Sequence, residues 1–116
     1  MKFVSLIVIV TAEHEEKMKK VAQEAGATGA MVIQAKGTEF EEKKSFFSLT
    51  FEGNHTILLY ILEEKISKLV LKALKKEIEK EKKDGVAFTM PIDHIVGLNQ
   101  KVIEKFEEKI KIDEVL

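Results

Sequence analysis

The chain has no cysteine, no arginine and no tryptophan, and only one proline and one tyrosine. Without cysteine there is no disulfide framework, no thiolate metal or iron-sulfur site and no thiol nucleophile, which suits a cytoplasmic protein. All 19 basic residues are lysine. A chain without arginine has no planar fork for clamping a phosphate or carboxylate, and must use backbone amides, helix ends and lysine point charges instead. Net charge is −1, with acidic and basic residues interleaved. No basic face of the kind that neutralises nucleic-acid phosphates stands out, so nucleic-acid binding is not expected. Long apolar runs are missing too. Residues 3–10 follow only Lys2 and are succeeded by Glu13, Glu15 and Glu16; they read as neither a signal peptide nor a membrane span, and no direct membrane insertion is expected.

Catalytic patterns are equally scarce. His14, His55 and His94 fall on a helix start, a strand edge and the segment after Pro91, and no HxH, HExxH or His-carboxylate spacing joins them. Asp93-His94 is more simply a solvated turn than a metal site. No serine lies in a G-x-S-x-G setting and the glycines form no P-loop. The reading is no enzyme, no catalytic residues and no metal.

What remains is a pattern of alternating elements. With 116 residues the chain fits one domain, large enough to bury a core without staples. Residues 3–10 (FVSLIVIV) form a strand, apolar on both faces. Thr11 then reads as a helix N-cap. Met18, Val21, Ala22 and Ala25 recur at helical spacing until Gly26 ends the helix. Residues 27–36 read as a second strand and residues 56–62 (TILLYIL) as a third, again apolar on both faces. A second helix from about Glu63 carries Ile66, Leu69, Val70, Ala73, Leu74 and Ile78 on one stripe, and its charged end, residues 75–83, reads as solvated. Asp84-Gly85 turns into a short strand, residues 86–90, closed by Pro91. In the tail, Asn99 caps a helix to about Lys109 with Val102, Ile103 and Phe106 inward, and residues 110–116 read as a short strand.

The order is β α β, long loop, β α β, tail. That order predicts an α+β, ferredoxin-like βαββαβ sandwich, with a four-stranded antiparallel sheet and two helices on one face. Two helices cover only one face, yet the central strands are apolar on both. The surplus surface predicts an obligate oligomer; the rival is a tail folded back over the open face.

Residues 36–54 (KGTEFEEKKSFFSLTFEGN) are the longest connection, and hold four of the seven phenylalanines, Phe40, Phe46, Phe47 and Phe51. Connections commonly run to about 4 to 6 residues, and one of this length is usually functional. Phe47, Leu49 and Phe51 also alternate with Ser48 and Thr50 as one face of a hairpin strand would. Both readings stand.

Ala27-Thr28-Gly29, the strand ending at Lys36-Gly37, the long loop, and then residues 84–92 (DGVAFTMPI) together resemble the nitrogen-regulatory PII protein superfamily. The resemblance spans nearly the whole domain in element order. It implies a homotrimer with the open sheet faces packed around the threefold axis. It also implies a mobile effector arm, the T-loop at about residues 37–54, and small ligands, ATP, ADP or AMP, in clefts between subunits. On that basis Thr28, Gly29, Gly37, Asp84 and Gly85 are the candidate ligand-binding residues. Phe40, Phe46 and Phe47 are the candidate partner-binding residues, and the target is a protein such as a membrane transporter. Several departures qualify the likeness. A typical member has a glycine before the Asp-Gly and a lysine after it, where this chain has Lys83 and Val86. A typical pair of arginines is replaced by Gly97 and Asn99. Losing three cationic partners at about 1.5 to 3 kcal/mol each would weaken triphosphate binding by orders of magnitude. The loop has no tyrosine for uridylylation. Two alternatives are a divalent-metal-binding trimer resembling the CutA proteins, and a ligand-free trimeric interaction module.

Overall fold

In the computed structural model, which describes residues 1–36, 45–46, 49–50, 54–80 and 85–115, strand β1 (Phe3–Thr11) leads through a 3-10 turn (Ala12–His14) into helix α1 (Glu15–Ala25). Strand β2 (Met31–Lys36) follows. Two short strands, β3 (Ser45–Phe46) and β4 (Leu49–Thr50), pair antiparallel as a separate ribbon within the long connection. Strand β5 (Asn54–Glu63), helix α2 (Glu64–Lys80), strand β6 (Gly85–Pro91) and helix α3 (Gln100–Val115) complete the chain. The main sheet runs β2-β5-β1-β6, every neighbouring pair antiparallel. This is the predicted ferredoxin-like arrangement, with a third helix added.

Strand periodicity sorts side chains between the faces. Leu6, Val8 and Val10 of β1 and Leu58, Tyr60 and Leu62 of β5 point into the helix layer. There they close a core with Met18 and Ala22 of α1 and Ile66, Val70 and Leu74 of α2. The helix stripes read from the sequence are these contacts. Burial at the charged end of α2 is more selective than expected: Glu77 is buried and Ile78 packs against the core, while Lys75, Lys76, Glu79 and Lys80 are exposed.

Three local expectations are corrected. Thr11 is the last residue of β1, paired with His55, and makes no capping hydrogen bond; the 3-10 turn separates it from α1. The second strand begins at Met31, because the preceding residues close the helix. Gly26 N–H donates to Gln23 O, Ala27 N–H donates to Ala22 O, and Gly26 and Gly29 adopt φ of +124° and +119°. The tail forms no strand over residues 110–115, for α3 continues through them. Val102, Phe106 and Ile110, at i, i+4 and i+8, form one stripe that packs on the core, and Phe106 is fully buried with its ring 6.4 Å from that of Phe3. Lys65 Nζ reaches Glu114 Oε1 at 3.0 Å and ties the far end of α3 to α2.

Helix ends are set by local acceptors. Glu63 Oε1, in a buried side chain, accepts from the N–H groups of Lys65 (2.7 Å) and Ile66 (3.2 Å) and caps α2. Asn99 Oδ1 accepts from Lys101 N–H at 2.8 Å, the cap expected for the last helix.

Among the described residues, no helix lies on the opposite face of the sheet. Across its middle runs the row Phe88, Ile7, Leu59 and Met31, flanked by rows holding Val86, Ile9, Ile57 and Ile33 on one side and Met90, Ser5 and Ile61 on the other. Of these, Ser5 alone is polar. Met31, Ile33, Ile61, Phe88 and Met90 are 38–61% exposed. The tail helix packs on the core instead of covering this face. Among the described residues, no helix is long and apolar enough to cross a membrane.

Candidate ligand site

The register brings four strand ends together at one end of the sheet. Val10 pairs with Gly85, Thr11 with His55, Ala35 with His55, and Lys36 with Asn54. The long connection therefore leaves β2 and re-enters β5 at the same end of the sheet at which β6 begins, with β1 between β5 and β6. Gly37 and Asp84 adjoin this end in sequence but lie outside the described residues, as do Phe40 and Phe47. Phe46 belongs to the β3–β4 ribbon.

The departure of β2 toward the connection is fixed by a polar clasp. Glu15 Oε1, at the start of α1, accepts from Gln34 Nε2 (3.1 Å) on β2 and from Thr56 Oγ1 (3.0 Å) on β5. Lys19 Nζ lies 3.4 Å from the other carboxylate oxygen. Hydrogen bonds from Gln34 and Thr56, with Lys19 adding less, hold the Glu15 carboxyl below the usual carboxylate range. Sequence reading missed this clasp because its members lie on three elements and only the fold makes them neighbours.

Thr28 and Gly29 stand at the other end. With Met31, Leu59, Ile61 and Val102 they line a cleft of about 580 Å³ where the start of β2 meets the start of α3. Gly29 has φ +119°, and a Cβ there would touch nothing within 4 Å, so its backbone faces open space. Five residue steps along β2, roughly 16 Å, separate Met31 from Lys36. One chain thus holds Thr28-Gly29 and Gly85 at opposite ends of its sheet. Gly85 has a packing reason of its own to be glycine, since a Cβ would come within 3.0 Å of Val10 Cγ1.

His55, read as a strand-edge residue, is the second residue of the central strand β5 and is 5% exposed. Its Nε2, the Thr11 Oγ1 across from it and the Tyr60 hydroxyl are buried with no hydrogen-bond partner among the described residues. Burial pushes the Tyr60 phenol up. Asp93 and His94 are exposed. Among the described residues no group of three or more His, Asp or Glu side chains is placed to hold a metal ion.

The description of the nitrogen regulatory protein P-II family matches residues 1–111, and the chain belongs to that family. Its members are regulators rather than enzymes. No curated protein matches the chain. Similar solved structures include the apo form of CPII, a nitrogen regulatory PII-like protein from Thiomonas intermedia. It is 15% identical, with a TM-score of 0.63 over 79% of this chain and 90% of that one. CPII bound to ADP, AMP and bicarbonate aligns at 15% identity and TM-score 0.61, covering 84% of this chain and 98% of its own. A PII-like signalling protein from Thermus thermophilus aligns at 17% identity and TM-score 0.60, over 79% of this chain and 88% of that one.

Proposed function

We propose that the protein is a homotrimeric PII-type regulator that binds an adenine nucleotide between subunits and reports its presence to a target protein through residues 37–54. The observation that carries this reading is the separation of Thr28-Gly29 from Gly85 and the loop base at opposite ends of one sheet. Neither half encloses a ligand alone. Two chains meeting head to tail bring one chain's Thr28-Gly29 beside its neighbour's Gly37, Asp84 and Gly85, and a head-to-tail contact that closes makes a ring. The open apolar sheet face is the surface such a ring would bury. CPII, with the same fold, is described with ADP, AMP and bicarbonate bound, and the same ligand classes are the first to try with this chain.

Signalling then follows from linkage. A ligand shifts the 37–54 arm only if it binds one arm conformation more tightly than the other. The Glu15 clasp ties the root of the arm to α1, so a change at the loop base has a defined lever. Phe40, Phe46 and Phe47 give the arm apolar surface for a target, with the cytoplasmic side of a membrane transporter as the proposed class.

Thermal-shift and calorimetric titration with ATP, ADP, AMP, bicarbonate and divalent metals tests the ligand. ADP should raise the melting temperature in the wild type. At a hundredfold excess over Kd the gain is about 2.7 kcal/mol. The response should vanish in Thr28→Glu, an exposed position where a carboxylate repels phosphates. Silence across the panel overturns the sensor reading and leaves a ligand-free trimer; heat with copper or zinc alone moves the protein to the CutA-like class. Target capture that is unchanged by Phe46→Ser with Phe47→Ser would remove the arm from the mechanism.

A further inference from the structure

A cleft of about 620 Å³ lies between α2 and the free edge of β6, on the helix side of the sheet. Its size is that of a small-molecule site, which typically spans about 300 to 1,000 Å³. Leu71, Ile78 and Ala87 give it an apolar floor, and Lys68, Lys72 and Lys75 stand along its helix wall. The lysines fall at i, i+4 and i+7, so they share one stripe over roughly 10 Å of helix. Adjacent like charges at these spacings destabilise a helix unless anions oppose them. Among the described residues Lys68 has one long contact, to Glu64 at 4.0 Å, and Glu79 is the one carboxylate lining the cleft. The wall is therefore cationic in excess, above a floor that water wets poorly.

We infer that the α2–β6 cleft binds a small amphipathic anion, an acyl chain or comparable apolar body carrying a carboxylate or phosphate. The apolar part lies on Leu71, Ile78 and Ala87, and the anionic head meets the lysine stripe. Neither half of such a ligand is held by the other half's residues, and this makes the site selective for molecules that carry both. The cleft lies on the face opposite the open sheet surface and stands apart from its own chain's Thr28-Gly29 cleft, but it shares Gly85 with the proposed nucleotide site. Its floor ends at Gly85, where β6 begins, giving a bound ligand a direct contact with the loop-base end of the sheet.

Calorimetric titration of the intact protein with n-decyl phosphate, below its micelle concentration, tests the inference. One saturable site per chain is expected. n-Decanol and inorganic phosphate should each bind at least about tenfold more weakly, because each lacks one half of the recognition. Lys68→Glu/Lys72→Glu/Lys75→Glu, a reversal along the helix wall, should weaken decyl phosphate binding by about tenfold or more. A control reversal at Lys17, Lys20 and Lys101, all exposed, should not. Equal binding by both charge variants overturns the inference. Binding of an oligoglutamate peptide but not decyl phosphate overturns it in favour of an acidic protein partner. If the cleft variant also loses the ADP response, the cleft is part of the nucleotide site and the inference of a separate one fails; an ADP response kept while decyl phosphate binding is lost supports two sites.

Discussion

Phe88→Glu should convert the protein to a folded monomer. Phe88 begins the middle row of the open face, cross-strand from Ile7, and is 38% exposed in the single chain. Five large apolar side chains on that face are between 38% and 61% exposed. Covering them removes the equivalent of about two whole side chains from water, roughly 3 to 6 kcal/mol per subunit at ~1.5 to 3 kcal/mol for each. A carboxylate in that interface loses the phenyl contribution and is itself buried without a partner, an added cost of several kcal/mol. Both effects act against the roughly 3 to 6 kcal/mol per subunit that covering the face supplies. Within one chain the same substitution costs little, since the ring is already partly in water and the glutamate can extend into solvent. Sedimentation equilibrium, with circular dichroism on the same samples, separates the outcomes. A trimer mass for the wild type and a monomer mass for Phe88→Glu, both with native helix content, is the expected result. A variant that keeps the trimer mass, or a wild type that is monomeric at micromolar concentration, refutes the assignment of this face.

Four further outcomes can be checked. Because the folded pKa of Glu15 lies below its unfolded value, the clasp contributes fully above the unfolded pKa, about 4.3, and its contribution is lost as pH falls through the folded one. The wild-type advantage over Glu15→Gln in chemical denaturation should therefore shrink as pH drops below about 4; an advantage that is constant with pH would show that the carboxylate charge is irrelevant. Gly26→Ala forces a side chain into φ +124° and within 3.2 Å of Ile66 Cγ2, and should lower stability by about 1 to 3 kcal/mol in urea unfolding. Phe106→Ala should cost about 3 to 5 kcal/mol, since the ring is fully buried against the core; a loss under about 1 kcal/mol would mean that α3 is not anchored there. Glu63→Ala removes the α2 cap and should lower the urea midpoint by an amount equivalent to about 1 kcal/mol.

Sequence alone determined much of this protein. Continuous β-branched and apolar runs in residues 3–10 and 56–62 and the helical stripes of Met18-Ala22 and Ile66-Val70-Leu74 are local signals, and local signals survive folding because each element must bury its own apolar surface. Element order then left few antiparallel arrangements, and the strands apolar on both faces announced a surface in excess of two helices. Ala27-Thr28-Gly29, Lys36-Gly37 and residues 84–92, in this element order, carried the resemblance to the family that the match over residues 1–111 shows.

Tertiary structure decided what depends on distant residues meeting. Residues 110–115 extend a core stripe that runs through Val102, Phe106 and Ile110, so they continue a helix where short apolar alternation had read as a strand. Thr11 stays in the ladder because His55 is there to pair with it. The clasp of Glu15, Gln34 and Thr56 and the lysine-walled cleft beside β6 each join elements far apart in the chain, and no window of sequence contains them. Of the candidate ligand residues, Thr28-Gly29 and Gly85 were sorted by the sheet register to opposite ends of one chain. Hydrophobic periodicity is a property of a segment, whereas a site is a property of where segments end.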